Sequence, residues 1–237
     1  MDYFKQAFDG KIGIISGAGS GQGTAVLKLL LENGAKVVAF NRSGNKPKIS
    51  HENLKMIRAD STDISSLENV ANIVEREYGK IDFLYNNHGI FSPSNDLIDG
   101  GKVSEFFKVN VVASINTTKV FLPLFKGKGA IVNVGASPSI FHYSSLEYSI
   151  SKRAVEEMTR KLASMLRPRN IRVNALMPGS VDSSKEIDDI RPFSFRPLLG
   201  KDSVSTLEIA YVSLFLLSDL SYGINGQSIY VDAGNGL

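Results

Sequence analysis

The sequence contains no cysteine, so disulfides, thiol catalysis and cysteine-ligated metals are excluded. Charge of one sign is also scarce: 27 basic residues stand against 24 acidic ones, a net charge of +3 at neutral pH. No run of Lys and Arg interleaves with aromatics, so the electrostatic footprint of a nucleic-acid binder is missing. The small basic excess does suit a phosphate-bearing ligand. No apolar stretch reaches membrane-span length, and the opening MDYFKQAFDGK lacks the apolar core of a signal peptide. The reading is a cytoplasmic protein with neither nucleic-acid nor membrane partners. In that compartment the glycosylation triplets at Asn41 and Asn116 carry no meaning. Internal repeats, linkers and low-complexity segments are absent too.

What is present is ordinary in bulk. The 237 residues, 43% hydrophobic and 22% charged, suffice for one sizeable core, so residues 1–237 are read as a single domain. Seven short apolar runs read as strands: KIGIISG, KVVAF, LKMIRAD, IDFLYNN, GAIVNVGA, IRVNALMPG and QSIYVDAG. Between them lie helical patterns. TAVLKLLLENGA stops at Gly34, and SSLENVANIVEREYGK has Ser65 as N-cap and Gly79 past its end. SEFFKVNVVASINTTKVFLPLF reads as one long helix, SLEYSISKRAVEEMTRKLASMLRP as another, and STLEIAYVSLFLLS as the last. Continuous apolar strands alternating with helices imply an α/β fold, a Rossmann-type doubly wound parallel sheet of about seven strands. The strand order stays open. Residues 182–201 show little periodicity and are expected to cover a substrate.

The segment SGAGSGQG, Ser16 to Gly23, lies between the first strand and the first helix. Its pattern is G-x-x-x-G-x-G on Gly17, Gly21 and Gly23, with Ser20 inside the loop. Glycines there permit a tight turn and close backbone approach to a pyrophosphate, which rests on the helix N-terminus. The plainer reading is a flexible turn. The end of the second strand bears on which dinucleotide binds. An acid there would grip the ribose 2′-hydroxyl and repel a 2′-phosphate. Instead Asn41 is followed by Arg42, Ser43 and, further on, Lys46. An Arg pairs well with phosphate, which favours NADP(H) over NAD(H); a solvated basic turn is the alternative.

These features, with NNHG at 86–89, Asn110 in KVNVV, YSISK at 148–152, NALMPGSVDS at 174–183 and the tail GINGQSIYVDAG, resemble the short-chain dehydrogenase/reductase family over nearly the whole chain. The resemblance implies a nicotinamide cofactor and a homotetramer or homodimer built on helices 104–125 and 147–167. It implies that Gly17, Gly21 and Gly23 hold the pyrophosphate, and that Asp60 contacts adenine with Ser61 beside it. Asn87 and Gly89 would border the cofactor, with His88 packed beside it where the family commonly has Ala. Pro178, Gly179 and Val181 would border the nicotinamide, and Ser183 would contact its carboxamide.

The chemistry implied is interconversion of a carbonyl and a secondary alcohol. The cofactor supplies the hydride. Tyr148 would supply the proton, and Lys152, one helical turn on, would lower the phenol's pKa and hold the nicotinamide ribose. Asn110 would connect Lys152 to solvent through water. A serine that grips the substrate oxygen is usual, but laid on NVGASPSI that pattern falls on Gly135 and Ala136. Two readings compete: Ser137 supplies the hydroxyl by a local shift, or the serine is lost. Ser144 and Ser145 read as helix caps. Phe141, His142 and Tyr143 on one side and Phe193, Phe195 and Pro197 on the other suit an apolar substrate of moderate size, while Arg191 and Arg196 either bind an acid group or stay in solvent; the sequence does not choose the substrate. The alternatives to an oxidoreductase are a nucleotide-binding regulatory protein with weak or lost catalysis, and an isomerase or dehydratase on the same scaffold.

Overall fold

The apolar runs assemble into one parallel sheet. A computed structural model describes residues 3–19, 21–45, 47–94, 99–183, 198 and 202–237. Its strands are β1 (Ile12–Ser16), β2 (Lys36–Asn41), β3 (Leu54–Arg58), β4 (Ile81–Asn86), β5 (Phe125–Val134), β6 (Ile171–Pro178) and, after two short pieces, β9 (Ser228–Val231). They lie in the order β3-β2-β1-β4-β5-β6-β9, every pair parallel. The pieces β7 (Val181–Asp182) and β8 (Val204–Ser205) form a separate two-stranded ladder. Strand order reverses between β1 and β4, so a crevice opens beyond their C-terminal ends.

Helices α2 (Gly21–Glu32), α3 (Ile64–Tyr78), α4 (Gly100–Phe107), α5 (Ala113–Phe121), α6 (Leu146–Leu166) and α7 (Thr206–Leu217) cover the sheet, and a short α1 (Tyr3–Phe8) precedes it. The two-residue period of the strands sorts their side chains into two cores. Ile15, Val37, Phe83 and Val132 pack with α2 and α7 residues such as Leu27, Leu30 and Leu214. Ile14, Val38, Leu84 and Ile131 pack on the other face with Leu67, Phe121 and Leu166 of α3, α5 and α6. Both sheet faces are dry, which is why the strands read as unbroken apolar runs.

Three details differ from the sequence reading. The segment 104–125 is not one helix: α4 and α5 are joined by a π-helical turn, Lys108–Val112, and α5 ends in a 3₁₀ turn at Leu122–Leu124. Apolar spacing cannot reveal that one inserted residue. The N-cap of α3 is Asp63, whose carboxylate accepts from the Ser65 amide at 3.0 Å, and not Ser65 itself. Helix α1 is too short for its period to register, yet its Phe8 is buried edge-on against Phe83 at 5.6 Å.

Beneath the crevice a buried polar ladder fixes the elements to one another. Asn86 of β4 donates to Asn133 of β5 at 2.9 Å, Asn133 donates to Thr159 of α6 at 3.0 Å, and Thr117 of α5 donates to Asn86 at 2.7 Å. A fully paired network of this kind sets register as well as stability. The buried Arg172 of β6 donates to the carbonyls of Leu216 and Ser218, at 3.0 and 2.8 Å, and so neutralises the C-terminal end of α7. Among the described residues no helix is long and apolar enough to cross a membrane.

Candidate active site

The crevice holds two adjoining cavities. One, about 390 Å³, is lined by Gly17, Asn41, Arg42, Ser43, Asp60 and Ser61 among others; the second, about 430 Å³, is lined by Tyr148, Lys152, Pro178, Gly179 and Val181 among others. Asn87, Gly89 and Ile90 line both, so the two meet at the end of β4.

The glycine loop fits a bound pyrophosphate. Gly17 has φ +71°, and a methyl group there would stand 2.9 Å from the Asn87 carbonyl. At Gly23 a methyl would stand 2.4 Å from the Gly17 carbonyl oxygen. Gly21, at φ +58°, opens α2, whose first amides have no partner within the helix. The loop is tied down from β4: the Asn87 side-chain amide donates to the Gly17 carbonyl at 2.8 Å, and the Gln22 amide donates to Asn87 Oδ1 at 2.9 Å. The other amide atom of Gln22, Oε1, is buried without a partner among the described residues, an acceptor left for a ligand donor. Ser20 lies outside the described residues.

Asp60 is held below the ordinary carboxylate range. Burial pushes it up, but the amide and hydroxyl of Thr62, each at 2.8 Å, and the charges of Arg42 and Lys108 outweigh that. Asn41 is spent on its own turn, accepting from the Gly44 amide at 2.7 Å. Arg42 is left facing the cavity, while its carbonyl accepts from Arg58 at 3.2 Å.

Tyr148 and Lys152 sit one turn apart on α6, 7% and 5% exposed. Ser145 caps that helix, and Phe91 packs edge-on against the Tyr148 ring at 5.0 Å. Lys152 donates to the Val134 carbonyl at 2.9 Å, and burial pulls its ammonium down to about 8. The expected lowering of Tyr148 is corrected. Burial pushes its pKa up, the Tyr143 phenol adds to that, and the Lys152 ammonium is turned toward Val134. Asn110 sits on the π turn, which aims its amide back at β4. It accepts from the Ile90 amide at 2.9 Å and donates to the Ile90 carbonyl at 3.2 Å and to the Ser151 hydroxyl at 2.9 Å. A methyl at Gly89 would stand 3.1 Å from both the Asn110 oxygen and the Lys152 nitrogen, so a larger residue there would push these groups back.

Ser137 is not brought to this site. It is fully buried, N-caps a 3₁₀ turn (Pro138–Tyr143), and donates to the Asp232 carboxylate at 2.5 Å. Ser139 in turn donates to the Ser137 oxygen at 3.0 Å. The carboxylate of a residue just past β9 outcompetes the cavity for that hydroxyl, and Ala136 lines the cavity instead. Ser183 is exposed and away from the described cavity wall. Residues 184–197, including the predicted Arg191, Phe193, Phe195, Arg196 and Pro197, lie outside the described residues. Gln22, Ile90, Phe91, Ile140 and Ser180 line the cavity without having been anticipated. Gln22 and Ser180 lie inside the glycine-loop and NALMPGSVDS motifs, and Ile90 and Phe91 follow NNHG, which is the only signal they give.

His88 lines the nucleotide cavity, partly buried, with both ring nitrogens engaged, by Ser16 at 2.7 Å and Ser114 at 3.1 Å. Burial, reinforced by the Lys152 charge and opposed by Asp60, pulls its pKa down to about 3.

The comparisons with known proteins bear on the family and the fold. Residues 17–235 match the family model described as enoyl-(acyl carrier protein) reductase, adh_short_C2. The chain belongs to the short-chain dehydrogenase/reductase family. It is 29% identical to the 7alpha-hydroxysteroid dehydrogenase of Bacteroides fragilis, covering 96% of this chain and 95% of that one. It is 32% identical to the 3-oxoacyl-acyl-carrier-protein reductase of Thermotoga maritima, over 95% and 98%. Among solved structures, the aldohexose dehydrogenase of Thermoplasma acidophilum superposes with a TM-score of 0.81 at 25% identity, covering 96% of this chain and 94% of that one. A short-chain dehydrogenase from Leptospira borgpetersenii with bound NAD+ shares the fold at a TM-score of 0.85 and 24% identity, over 100% and 97%. This short-chain dehydrogenase/reductase is thus an NAD(P)(H)-dependent oxidoreductase that interconverts a carbonyl and an alcohol.

The desolvated imidazole gives this dehydrogenase/reductase an acid-side weakness. Unfolded, His88 binds a proton below about 6.5; folded, it stays neutral to about 3. Stability therefore falls as pH drops below 6.5, by about 2–3 kcal/mol at pH 4.5 from this group alone. In denaturant unfolding at pH 7 and 4.5, His88→Gln should lose correspondingly less than the parent protein; an equal loss in both would contradict the assignment.

Proposed function

We propose that this oxidoreductase uses Tyr148 as its proton donor and acceptor, with Lys152 and Asn110 as its supports, and that it prefers NADP(H). One observation carries the catalytic reading. A buried phenol and a buried ammonium, a helical turn apart, share a cavity that adjoins a glycine-lined nucleotide cavity at the end of β4.

When bound, the nicotinamide supplies or accepts the hydride. The residues do the rest. Gly17, Gly21 and Gly23 admit the pyrophosphate, Asp60 and Ser61 take the adenine side, and Pro178, Gly179 and Val181 bound the nicotinamide. Tyr148 passes its proton to the substrate oxygen during reduction and takes it back during oxidation. Lys152 holds the ribose and favours the tyrosinate once its ammonium swings from Val134. Asn110 fixes Ile90 and Ser151, which keeps Lys152 and Tyr148 in register, and completes the route from Lys152 to water.

Arg42 supports the cofactor preference. It faces the nucleotide cavity at the end of β2, where Asn41 stands in place of the acid that would repel a 2′-phosphate, and the charge of Arg42 offsets that of Asp60 in the same cavity. The substrate is an apolar carbonyl or alcohol of moderate size. Ile90, Phe91, Ile140 and Val181 make the described wall apolar, and Lys152 is its one charged side chain among the described residues. The names of the relatives, a hydroxysteroid dehydrogenase and an oxoacyl reductase, are compatible with that class. Half-exposed Val112, Ile115, Leu146 and Ile150, on the π turn, α5 and α6, support self-association as a homodimer or homotetramer. On composition we place the protein in the cytoplasm. A second reading, a nucleotide-binding protein with weak catalysis, draws on Ala136 alone, where a hydroxyl is usual.

Tyr148→Phe should lower turnover at least about 10²-fold while leaving dinucleotide affinity within a few-fold. Turnover that survives unchanged would remove Tyr148 from the mechanism. Arg42→Ala should weaken NADPH binding by about 10- to 100-fold and NADH binding little, measured by titration calorimetry. Equal losses for both would end the NADP(H) preference.

A further inference from the structure

We propose that Tyr143 takes the place of the missing serine and donates the second hydrogen bond to the substrate oxygen. The inference rests on the reading of Tyr148 as proton donor.

Reduction puts negative charge on the carbonyl oxygen as hydride reaches the carbon. Tyr148 gives that oxygen a proton, and a second fixed donor stabilises the charge while it develops. At the end of β5 that donor is absent. Ala136 lines the cavity without a hydroxyl, and the next residue, Ser137, is committed to Asp232. Moving Ser137 inward would strand a buried carboxylate and uncap the 3₁₀ turn.

The described wall of the cavity offers two other hydroxyl side chains, Tyr143 and Ser180. Ser180 lies on the turn after β6 and not on the β5–α6 loop that carries Ala136; it and Tyr143, 39% exposed, both reach solvent. Tyr143 closes the 3₁₀ turn on the same loop as Ala136, five residues before Tyr148. Its backbone is strapped to the neighbouring chain: the Ser94 amide donates to the Tyr143 carbonyl at 2.8 Å, the Ser145 amide donates to Ser92 at 3.0 Å, and Ser144 bridges Pro93. Its ring is backed edge-on by His142 at 4.8 Å. A phenol reaches several ångströms further than a serine hydroxyl, so it serves the same oxygen from the far end of the loop. The Tyr143 phenol also acts on the ionisation of Tyr148, which places the two in one electrostatic field. Throughout the step Tyr143 keeps its proton; the proton that ends on the alcohol comes from Tyr148 and the hydride from the reduced dinucleotide.

The test uses the full chain and 9,10-phenanthrenequinone, an activated apolar diketone, with NADPH and with NADH. Tyr143→Phe should lower kcat by about 10²-fold, with KM and dinucleotide affinity within about two-fold. Adding Ala136→Ser to Tyr143→Phe should restore at least ten-fold, because it returns a hydroxyl to the usual place. A merely structural tyrosine would not be rescued by that serine. Turnover of Tyr143→Phe within two-fold of the parent overturns the proposal, as does a missing rescue, or a loss found on Ser180→Ala and not on Tyr143→Phe. A parent protein that binds NADPH yet reduces no diketone also counts against it, since a working donor is what the inference supplies. Tyr148→Phe in the same assay separates the two readings: loss there with an intact Tyr143→Phe removes Tyr143 alone, while an intact Tyr148→Phe removes the underlying mechanism.

Discussion

The site depends on a buried charge without a counterion. Lys152 is almost fully enclosed, and its ammonium has one carbonyl, that of Val134, as its hydrogen-bond partner among the described residues. Lowering it to about 8 corresponds to a cost on the order of 3 kcal/mol for keeping it protonated at neutral pH. The sheet, the two dry cores and the asparagine ladder hold the backbone while that cost is borne. The open coordination is then available to ribose hydroxyls and to the phenolate of Tyr148. The same lack of a nearby carboxylate among the described residues that makes the ammonium costly makes it useful to a ligand that brings its own acceptors.

Everything around Lys152 is arranged by backbone geometry as much as by side chains. The π turn rotates Asn110 so that its amide clamps Ile90 and reaches Ser151. π turns recur at functional positions because one inserted residue re-aims a side chain without ending the helix. Gly89 leaves room for the Asn110 and Lys152 heads to close over it. On the opposite side, Asp232 draws Ser137 out of the cavity and packs against Gly179, where a methyl would stand 2.6 Å from the Asp232 side chain. The end of β9 thereby joins the loop before α6 to the turn after β6. The two walls of the reaction cavity are fastened to each other behind the substrate.

Much of this was legible in the residues. Parallel strands announce themselves by continuous apolar runs, and the glycine loop and the Tyr148–Lys152 pair carry meaning in their spacing, whereas Asp60 and Asn87 stood out only through the family resemblance. The helix over 104–125 was legible in extent and not in its π turn, because an inserted residue barely disturbs apolar spacing. Asp63 lost to Ser65 as a cap only because both are good caps two residues apart. The fate of Ser137 was beyond reach, since its partner lies 95 residues on and nothing local marks Asp232 as the stronger claim on that hydroxyl. The lowering of the Tyr148 pKa by Lys152 was argued from helical spacing; burial and the direction of the ammonium decide otherwise.

The most direct test is the proton balance of NADPH binding, measured calorimetrically across pH 6.5–9.5 in buffers of differing ionisation enthalpy. If the dinucleotide supplies the acceptors that Lys152 lacks, its ammonium gains affinity for its proton on binding. Uptake of a fraction of a proton should then peak above pH 8 and fade below pH 7. Binding without proton uptake anywhere in that range would mean that the ligand leaves Lys152 as it found it, and would contradict the account.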